Sequence, residues 1–463
     1  MLENDTIIAL ATPPGTGAIA VMRLSGPGAI ALAASHFRAA SGKPLESCPG
    51  HTVHLGHLYF GERMLDEVLA TVFRGPRSYT GEDVVEISCH GSPFIQQAVL
   101  NGFLDAGCRM AQAGEFTLRA FLHGKMDLSQ AEAVADLIAS ENQASHQIAL
   151  QQMRGGYSSR IKELRDQLIH FASLITLELD FSGEDVEFAD RGAFTALLDE
   201  ISDLLKKLID SFATGNAIKK GIPVAIAGQP NVGKSTLLNT LLEEERAIVS
   251  DIAGTTRDAI EDDMVLGGIG FRFIDTAGIR QTEDQIESIG IRKTYEKLGQ
   301  ARIIAYMTDG TLLEGSALEA ARKEADALLA QYPEKPVLVL ANKADQLTKA
   351  QREQITATLP EAHFLSARDG EGVEALKERL LGLVSTGALQ ANDPVVSNSR
   401  HYQALGQALQ AVDHIKEGMA AGVPSDLVSV DINEALFHLG AITGEITTDD
   451  LLGNIFANFC IGK

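Results

Sequence analysis

A chain of 463 residues is too long for one hydrophobic core, so roughly two to four domains are expected. Its 62 acidic against 39 basic side chains leave a formal charge of −23, which excludes a long-range electrostatic grip on phosphate backbones; any RNA contact should be local or shared with a partner. The four cysteines, at 48, 89, 108 and 460, have no C-x-x-C spacing, as suits reduced thiols. No apolar run long enough to span a membrane occurs, and the acidic opening MLENDTIIAL lacks a signal-peptide pattern, so a soluble, cytoplasmic protein without membrane contact is expected.

In chain order, short β-rich stretches such as TIIALAT, AIAVMRLSG and DVVEISCHG alternate with Gly/Pro turns up to about Thr117 and predict an α+β domain over 1–117. Over 118–216 the period changes. Leu197, Leu198, Ile201, Leu204, Leu205, Leu208, Ile209 and Phe212 recur at helical spacing, with Asp199, Glu200, Asp203 and Lys206 opposite. At GIPVAIAGQP the pattern becomes a near-continuous apolar run, as in a parallel strand buried on both faces. VAIAG, FRFIDTAG, RIIAYMTDG, PVLVLANKAD and AHFLSAR then alternate with helical segments, an α/β domain over 217–386. Helical spacing returns through Leu405, Leu409, Val412 and Ile415 and runs on over 387–463. Neither helical flank alone offers a complete bundle. The expected fold class is therefore multidomain α/β plus α, with one all-α domain interrupted by an α/β insertion.

Residues 228–235 read GQPNVGKS, a complete phosphate-loop pattern between a strand and a helical stretch. Its glycines let backbone N–H groups wrap a β-phosphate, Lys234 reaches the β/γ oxygens, and the Ser235 hydroxyl suits Mg²⁺. DTAG, at the end of a strand, sets Asp275 where a carboxylate holds Mg²⁺ through water and Gly278 where its N–H meets a γ-phosphate. In NKAD, Asp345 can accept two hydrogen bonds from the guanine N1–H and 2-amino edge, with Asn342 and the Lys343 stem framing the base and Ser366, Ala367 and Arg368 supporting it. Adenine lacks that edge, so the nucleotide is GTP. DIAGTTRD falls where a first switch loop belongs, with Thr256 joining Ser235 on Mg²⁺. Nucleotide contacts are expected from Asn231, Val232, Gly233, Lys234, Ser235 and Thr236; from Ser250, Asp251, Ile252, Ala253, Gly254, Thr255 and Thr256; from Asp275, Thr276, Ala277 and Gly278; and from Asn342, Lys343, Ala344 and Asp345 with the Ser366 to Arg368 loop.

Ile279 stands where many GTPases of this kind carry a water-orienting glutamine. The carbonyl oxygen of Asn231 and backbone oxygens of the switch loop are hard ligands suited to a monovalent cation, and K⁺ is the natural candidate. A water-orienting carboxylate could come from Glu283, Asp284 or Glu287, and spacing alone prefers none of them.

Together GQPNVGKSTLLN, DIAGTTRD, DTAGIR with IESIGIRK, ATPPGTGAIAVMRLSG, YTGEDVVEISCHG, GEFTLRAFLHGKMDLSQAEAV and the terminal FCIGK resemble the MnmE (TrmE) family of tRNA-modification GTPases from first strand to last residue. The resemblance implies an N-terminal folate-binding and dimerisation domain, a discontinuous helical domain and an inserted Ras-like G domain. It implies a homodimer with K⁺-dependent G-domain association, and a flavin- and NADH-dependent partner, MnmG (GidA), joined in a heterotetramer or larger complex. With tRNA as substrate, the pair would place an aminomethyl or carboxymethylaminomethyl group on C5 of the wobble uridine, position 34, using 5-formyltetrahydrofolate or a related one-carbon donor. By resemblance, Glu287 orients the attacking water beside catalytic Lys234, and Asn231, Ser250, Ile252 and Thr255 form the K⁺ cage. Arg23, Glu86, Lys125 and Lys463 match the folate positions. His123 and Gly15-Thr16-Gly17-Ala18 depart from the family's usual residues there.

The apolar stretch LLGNIFANF should dock the tail, bringing Lys463 to the folate site and Cys460 near the modification chemistry; as a prenylation signal, CIGK is poor. Two alternatives share the G-domain motifs: an Era- or Der-like ribosome-assembly GTPase, which would need an RNA-binding appendage absent here, and a GTP-driven scaffold without modification chemistry. The spacings of Cys48 with His51 and Cys89 with His90 fit no common zinc pattern.

Overall fold

A computed structural model of the chain describes residues 5–180, 190–246, 261–275, 297–384, 394–457 and 459–462. The chain packs into two compact units: Met1–Ala139, Leu150–Ser202 and Ala404–Lys463 in one, Ser140–Ala149 and Asp203–Gln403 in the other.

The first unit is built on seven strands: β1 Ile7–Leu10, β2 Ile19–Ser25, β3 Phe37–Ala39, β4 Thr52–Phe60, β5 Arg63–Phe73, β6 Val84–His90 and β7 Arg109–Met110. Their order is β3-β4-β5-β6-β2-β1-β7, antiparallel except for the parallel β1/β7 pair. Alternation sends Met22, Leu24, Val85, Ile87 and Cys89 into a core with Val99 and Phe103 of helix α2 (Pro93–Asp105) and Ala29, Ile30 and Ala33 of α1 (Ala29–His36). The opposite face carries Val21, Arg23, Glu86 and Ser88 in cross-strand register, with Leu55 and Leu69 paired and exposed further along. Helices α3 (Glu115–Leu122) and α4 (Leu128–Ile138) follow. Asp127 caps α4 reciprocally with Gln130, which satisfies amides the helix itself leaves open.

The helical layer of this unit includes α6 (Ser158–Asp180), which packs along α13 (Ser425–Thr443), and the first turns of α7 (Arg191–Lys220). Leu197, Leu198 and Ile201 are buried and Asp199 and Glu200 exposed, so the predicted stripe faces inward. Leu405, Val412 and Ile415 are likewise buried in α12 (Ser399–Ala420). The last helix, α14 (Asp449–Phe456), seats Leu452 and Phe456 against Leu128 and Ala131.

In the second unit, β8 (Ile222–Ala227), β9 (Glu261–Leu266), β10 (Ile269–Asp275), β11 (Ile303–Asp309), β12 (Val337–Asn342) and β13 (His363–Phe364) form a sheet ordered β13-β12-β11-β8-β10-β9, parallel but for the β9/β10 hairpin. Val224 and Ile226 of β8 enter one core and Ala225 and Ala227 the other, the two-faced burial that the apolar run anticipates. Helices α8 (Lys234–Arg246), α9 (Gly315–Gln331), α10 (Lys349–Thr358) and α11 (Val373–Gly382) complete it.

The edge strand β9 escapes the apolar-run signal, because its sequence EDDMVL opens on three acids and, from Asp263 on, buries the alternate residues Met264 and Leu266. Gly267 and Gly268, at φ 53° and 81°, make the tight two-residue turn into β10. Against that turn lies the start of α5 (Gln143–Met153): the Ala144 amide donates to the Gly268 carbonyl at 2.9 Å, and Ala144 and Ile148 share a core with Met264, Leu266 and Phe271.

Candidate functional site

All five parallel strands of the second sheet end at one edge, where ligand crevices of open α/β sheets form. The phosphate loop joins β8 to α8 there. Gly228 and Gly233 take φ 144° and 103°, and a Cβ on them would lie 2.1 Å from the Met307 carbonyl oxygen and 2.3 Å from Asn342 Nδ2. Only glycine fits, so the loop's amides are free to curl inward ahead of the helix N-terminus. Asn231 is exposed and also left-handed, φ 63°. Lys234 is 5% exposed, and its ammonium donates to the carbonyls of Gly228 and Gln229 at 2.6 and 2.8 Å, which puts a fixed positive charge inside the loop. Val232 is buried beneath the loop, and Ser235 and Thr236 present exposed hydroxyls on the first turn of α8. In register, Asp275 pairs with Ile226, which brings the strand end that carries it beside the strand that feeds the loop.

Asn342 binds this loop to the loops at 342–345 and 366–368. Its Nδ2 donates to the Val232 carbonyl at 2.7 Å, and its Oδ1 accepts from the Ala367 amide at 2.9 Å, while the side chain is 3% exposed. The Lys343 ammonium meets Asp309 Oδ2 at 2.5 Å, and Asp345 Oδ2 accepts from Arg368 Nη2 at 3.3 Å. Thr240 on α8 donates to the Ala367 carbonyl at 2.5 Å, and Arg352 to the Ala344 carbonyl at 2.7 Å. Ser366 closes its turn through the Glu371 carbonyl. The phosphate loop, residues 342–345 and residues 366–368 thus meet in one place. Thr240, Asp309 and Arg352 are supports that sequence reasoning missed, since each lies on an element between motifs and carries no spacing signal. Ser250 to Thr256, Thr276 to Gly278, Glu287 and Lys463 lie outside the described residues.

A second constellation forms on the open face of the first sheet. Arg23 donates through Nε to Glu86 Oε1 at 2.8 Å and through Nη1 to the Gly462 carbonyl at 3.3 Å, joining residues 439 positions apart. Its guanidinium lies 5.4 Å from the Tyr79 ring centroid and 5.7 Å from that of Phe116, within cation–π range. Burial pushes the Tyr79 phenol above its ordinary pKa. The tail is held by a bridge from Ile461 to Ala113 and by the Gly114 amide, which donates to the Cys460 carbonyl. Cys460 is exposed, whereas burial pushes the thiols of Cys89 and Cys108 up to about 11. Lys125, also exposed, donates to the Pro76 carbonyl at 2.9 Å, and His123 Nδ1 meets the Thr80 carbonyl oxygen at 2.8 Å. A cation, a carboxylate, two aromatic rings and a backbone carbonyl are thus brought together at Arg23. Tyr79 and Phe116 were not picked out from sequence, because a single aromatic residue carries no spacing signal.

The same unit holds an ion network around the fully buried Arg119. Arg119, with no exposed side-chain surface, reaches Asp5 Oδ1 at 2.6 Å, Glu115 Oε1 at 3.0 Å and Glu82 Oε1 at 3.1 Å, and Arg109 pairs with Asp5 and Glu115. Burial pushes the Asp5 and Glu115 carboxyls up, but the hydrogen bonds and charges of the two arginines outweigh it and hold both below their ordinary values.

A glycine-lined phosphate loop, the Asn-Lys-Ala-Asp loop and the Ser-Ala-Arg loop at the strand ends of an α/β sheet define a P-loop GTPase domain, here set within a larger chain. The MnmE helical domain family matches residues 128–460, and the family described as GTP-binding protein TrmE N-terminus matches residues 6–125. Proteins named tRNA modification GTPase MnmE from Christiangramia forsetii and Flavobacterium psychrophilum are 59% and 58% identical, each over 100% of both chains; one from Bacteroides fragilis is 50% identical, also over 100% of both. The chain belongs to the MnmE family of tRNA modification GTPases. Guanine-nucleotide and Mg²⁺ binding come with that membership, and the oxygen donors at the phosphate loop are of the hard type that Mg²⁺ takes. Among the described residues no helix is long and apolar enough to cross a membrane.

Proposed function

We propose that the chain couples GTP hydrolysis to the modification of C5 of the wobble uridine in certain tRNAs, acting as a homodimer with the flavin-dependent partner MnmG in a heterotetramer or larger complex. The observation that carries this reading is the Arg23 junction, where Glu86, two aromatic faces and the Gly462 carbonyl of the tail converge. A GTP-driven scaffold would need no such junction. Arg23, Glu86 and Lys125, with Lys463 from the tail, hold a tetrahydrofolate one-carbon donor, 5-formyltetrahydrofolate or a relative, which supplies the new carbon. Cys460 is a candidate participant in that chemistry because its thiol is exposed beside the docked tail. Paired apolar residues on the same sheet face, Leu55 and Leu69, support association of two copies there.

At the nucleotide, Lys234 neutralises the phosphates, Ser235 with Thr256 holds Mg²⁺, and Asp345 reads the guanine edge. Asn231, with backbone oxygens of Ser250, Ile252 and Thr255, holds K⁺, which supplies the positive charge that an arginine would otherwise bring to the transition state. Glu287 orients water, through a neighbour rather than directly.

A tRNA-modification assay with and without the flavin partner tests the whole reading. Modified wobble uridine is expected only with both proteins, GTP and the folate donor present; modification without this chain's GTPase activity would defeat it. Arg23→Ala is expected to weaken 5-formyltetrahydrofolate binding about tenfold or more, the scale of one lost charge-assisted contact, with turnover of GTP retained. Cys460→Ser is expected to spare GTP hydrolysis and impair modification, measured as nucleoside yield. Equal hydrolysis rates in Na⁺ and K⁺ would remove the cation from the mechanism.

A further inference from the structure

The geometry points to Asp309 as a positioning residue for the guanine base, acting through Lys343. Asp309 closes β11 and pairs in register with Asn342 at the end of β12, so the two strand ends lie side by side. Its side chain is 9% exposed and its carboxylate is divided between two tasks. Oδ1 accepts from the Thr311 amide at 3.0 Å and the Thr311 hydroxyl at 2.7 Å, which fixes the carboxylate plane. Oδ2 is then left to receive the Lys343 ammonium at 2.5 Å.

Lys343 needs such an anchor. Its backbone is left-handed, φ 61°, a conformation a lysine seldom takes, and it opens the short turn Ala344–Gln346 that contains Asp345. A long flexible side chain in that position would sweep the site entrance unless its end were tied. With the ammonium tied to Asp309, the four-carbon stem is held as one apolar wall beside Asp345, and the turn is held with it. Burial pushes the Asp309 carboxyl up, but the hydrogen bonds from Lys343 and from the Thr311 hydroxyl and amide together hold it below its ordinary value, so it meets the ammonium as a carboxylate at neutral pH. Asp309 touches no nucleotide; its effect falls on how tightly the base is gripped.

This inference rests on the assignment of residues 342–345 as the guanine reader, and the experiment separates the two. In the full-length chain, the Kd of a fluorescent GDP analogue and the KM and kcat for GTP are measured for Asp309→Asn, Lys343→Met, Lys343→Arg and the double variant Asp309→Asn with Lys343→Met. The Asp309→Asn substitution keeps an oxygen that can accept from Thr311 while removing the charge. Expected are a rise in Kd of about tenfold for Asp309→Asn, a larger change in KM than in kcat, recovery towards the parent in Lys343→Arg, and a double variant no weaker than Lys343→Met alone. An unchanged Kd in Asp309→Asn, or losses that multiply in the double variant, overturns the inference. If Asp309→Asn does not fold, the lysine pair decides: Lys343→Met weakened and Lys343→Arg restored supports it, and an unchanged Lys343→Met overturns it. Asp345→Asn is run beside them with xanthosine diphosphate. A gain for xanthosine with no effect at Asp309 sinks this inference alone, whereas no gain sinks the base-reader assignment itself.

Discussion

The two sheets of this chain place their chemistry in different ways. The six-stranded sheet gathers its site at the carboxyl ends of parallel strands, so each functional loop is a contiguous string directly after a strand: residues 228–235 after β8 and 342–345 at the end of β12. The seven-stranded sheet puts its constellation on a face. There, alternation selects every second residue of antiparallel strands, and Arg23 finds Glu86 across a strand pair, Tyr79 and Phe116 beside it, and Gly462 from the far end of the chain. Loops concentrate a signal in sequence, whereas a sheet face disperses it.

That contrast can be broken by substitution, beginning where the effect is largest. Gly228→Ala sets a methyl group 2.1 Å from a backbone carbonyl oxygen at φ 144°, where no side-chain rotation gives relief. A loss of about 5 kcal/mol or more is expected, with nucleotide binding abolished, read by thermal melting and GDP titration. Retained binding would show that the loop is more pliable than its packing indicates.

Next, Arg119→Met removes the one cation that reaches Asp5, Glu82 and Glu115 together, leaving Arg109 on Asp5 and Glu115, and about 3 kcal/mol should be lost from the first unit while GTP turnover persists. The network also sets an acid limit. Asp5 and Glu115 have folded-state values depressed below their ordinary 3.8 and 4.5, so their contribution is complete above the ordinary values and disappears as pH falls through the depressed ones. Urea midpoints measured from pH 7 downward should therefore drop in the acid range for the parent, and drop less for the variant.

Smaller again, Ile148→Ala removes a side chain 5% exposed in the core shared with Met264 and Phe271. About 2–4 kcal/mol should be lost, and from the nucleotide-binding unit, as followed by the temperature at which bound fluorescent GDP is released. A loss confined to the other unit would contradict the packing of residues 140–149 against the β9/β10 turn. At the low end, Thr348→Ala deletes an exposed capping box on α10 and should cost about 1 kcal/mol with no change in nucleotide affinity.

Much of this was legible in advance for identifiable reasons. The stripe through Leu197, Leu198 and Ile201 faces inward because an amphipathic period of 3.6 admits one buried side. The phosphate loop was legible because glycine at left-handed positions has few substitutes. The loop at 342–345 carries its signal in Asn342 and Asp345, but nothing in the sequence marks Asp309, which lies on the neighbouring strand and becomes a partner only through register. The edge strand β9 was missed because an edge needs only half its residues apolar. Residues 140–149 gave no sign of joining the nucleotide-binding core: their pattern is simply helical, and a helix face does not say which sheet it will cover.

The amino-acid sequence by itself determined the class of protein, the order of its parts and the nucleotide, since local backbone constraints and short-range motifs are written in adjacent residues. Only the tertiary structure decided that Arg23 meets the tail, that Arg119 lies fully buried among three carboxylates, and that Asp309 anchors Lys343. The pairings of Arg23 with Gly462, Arg119 with Asp5 and Lys343 with Asp309 join residues 439, 114 and 34 positions apart. Nothing local in either partner specifies the other; the contact exists because packing closes the chain between them.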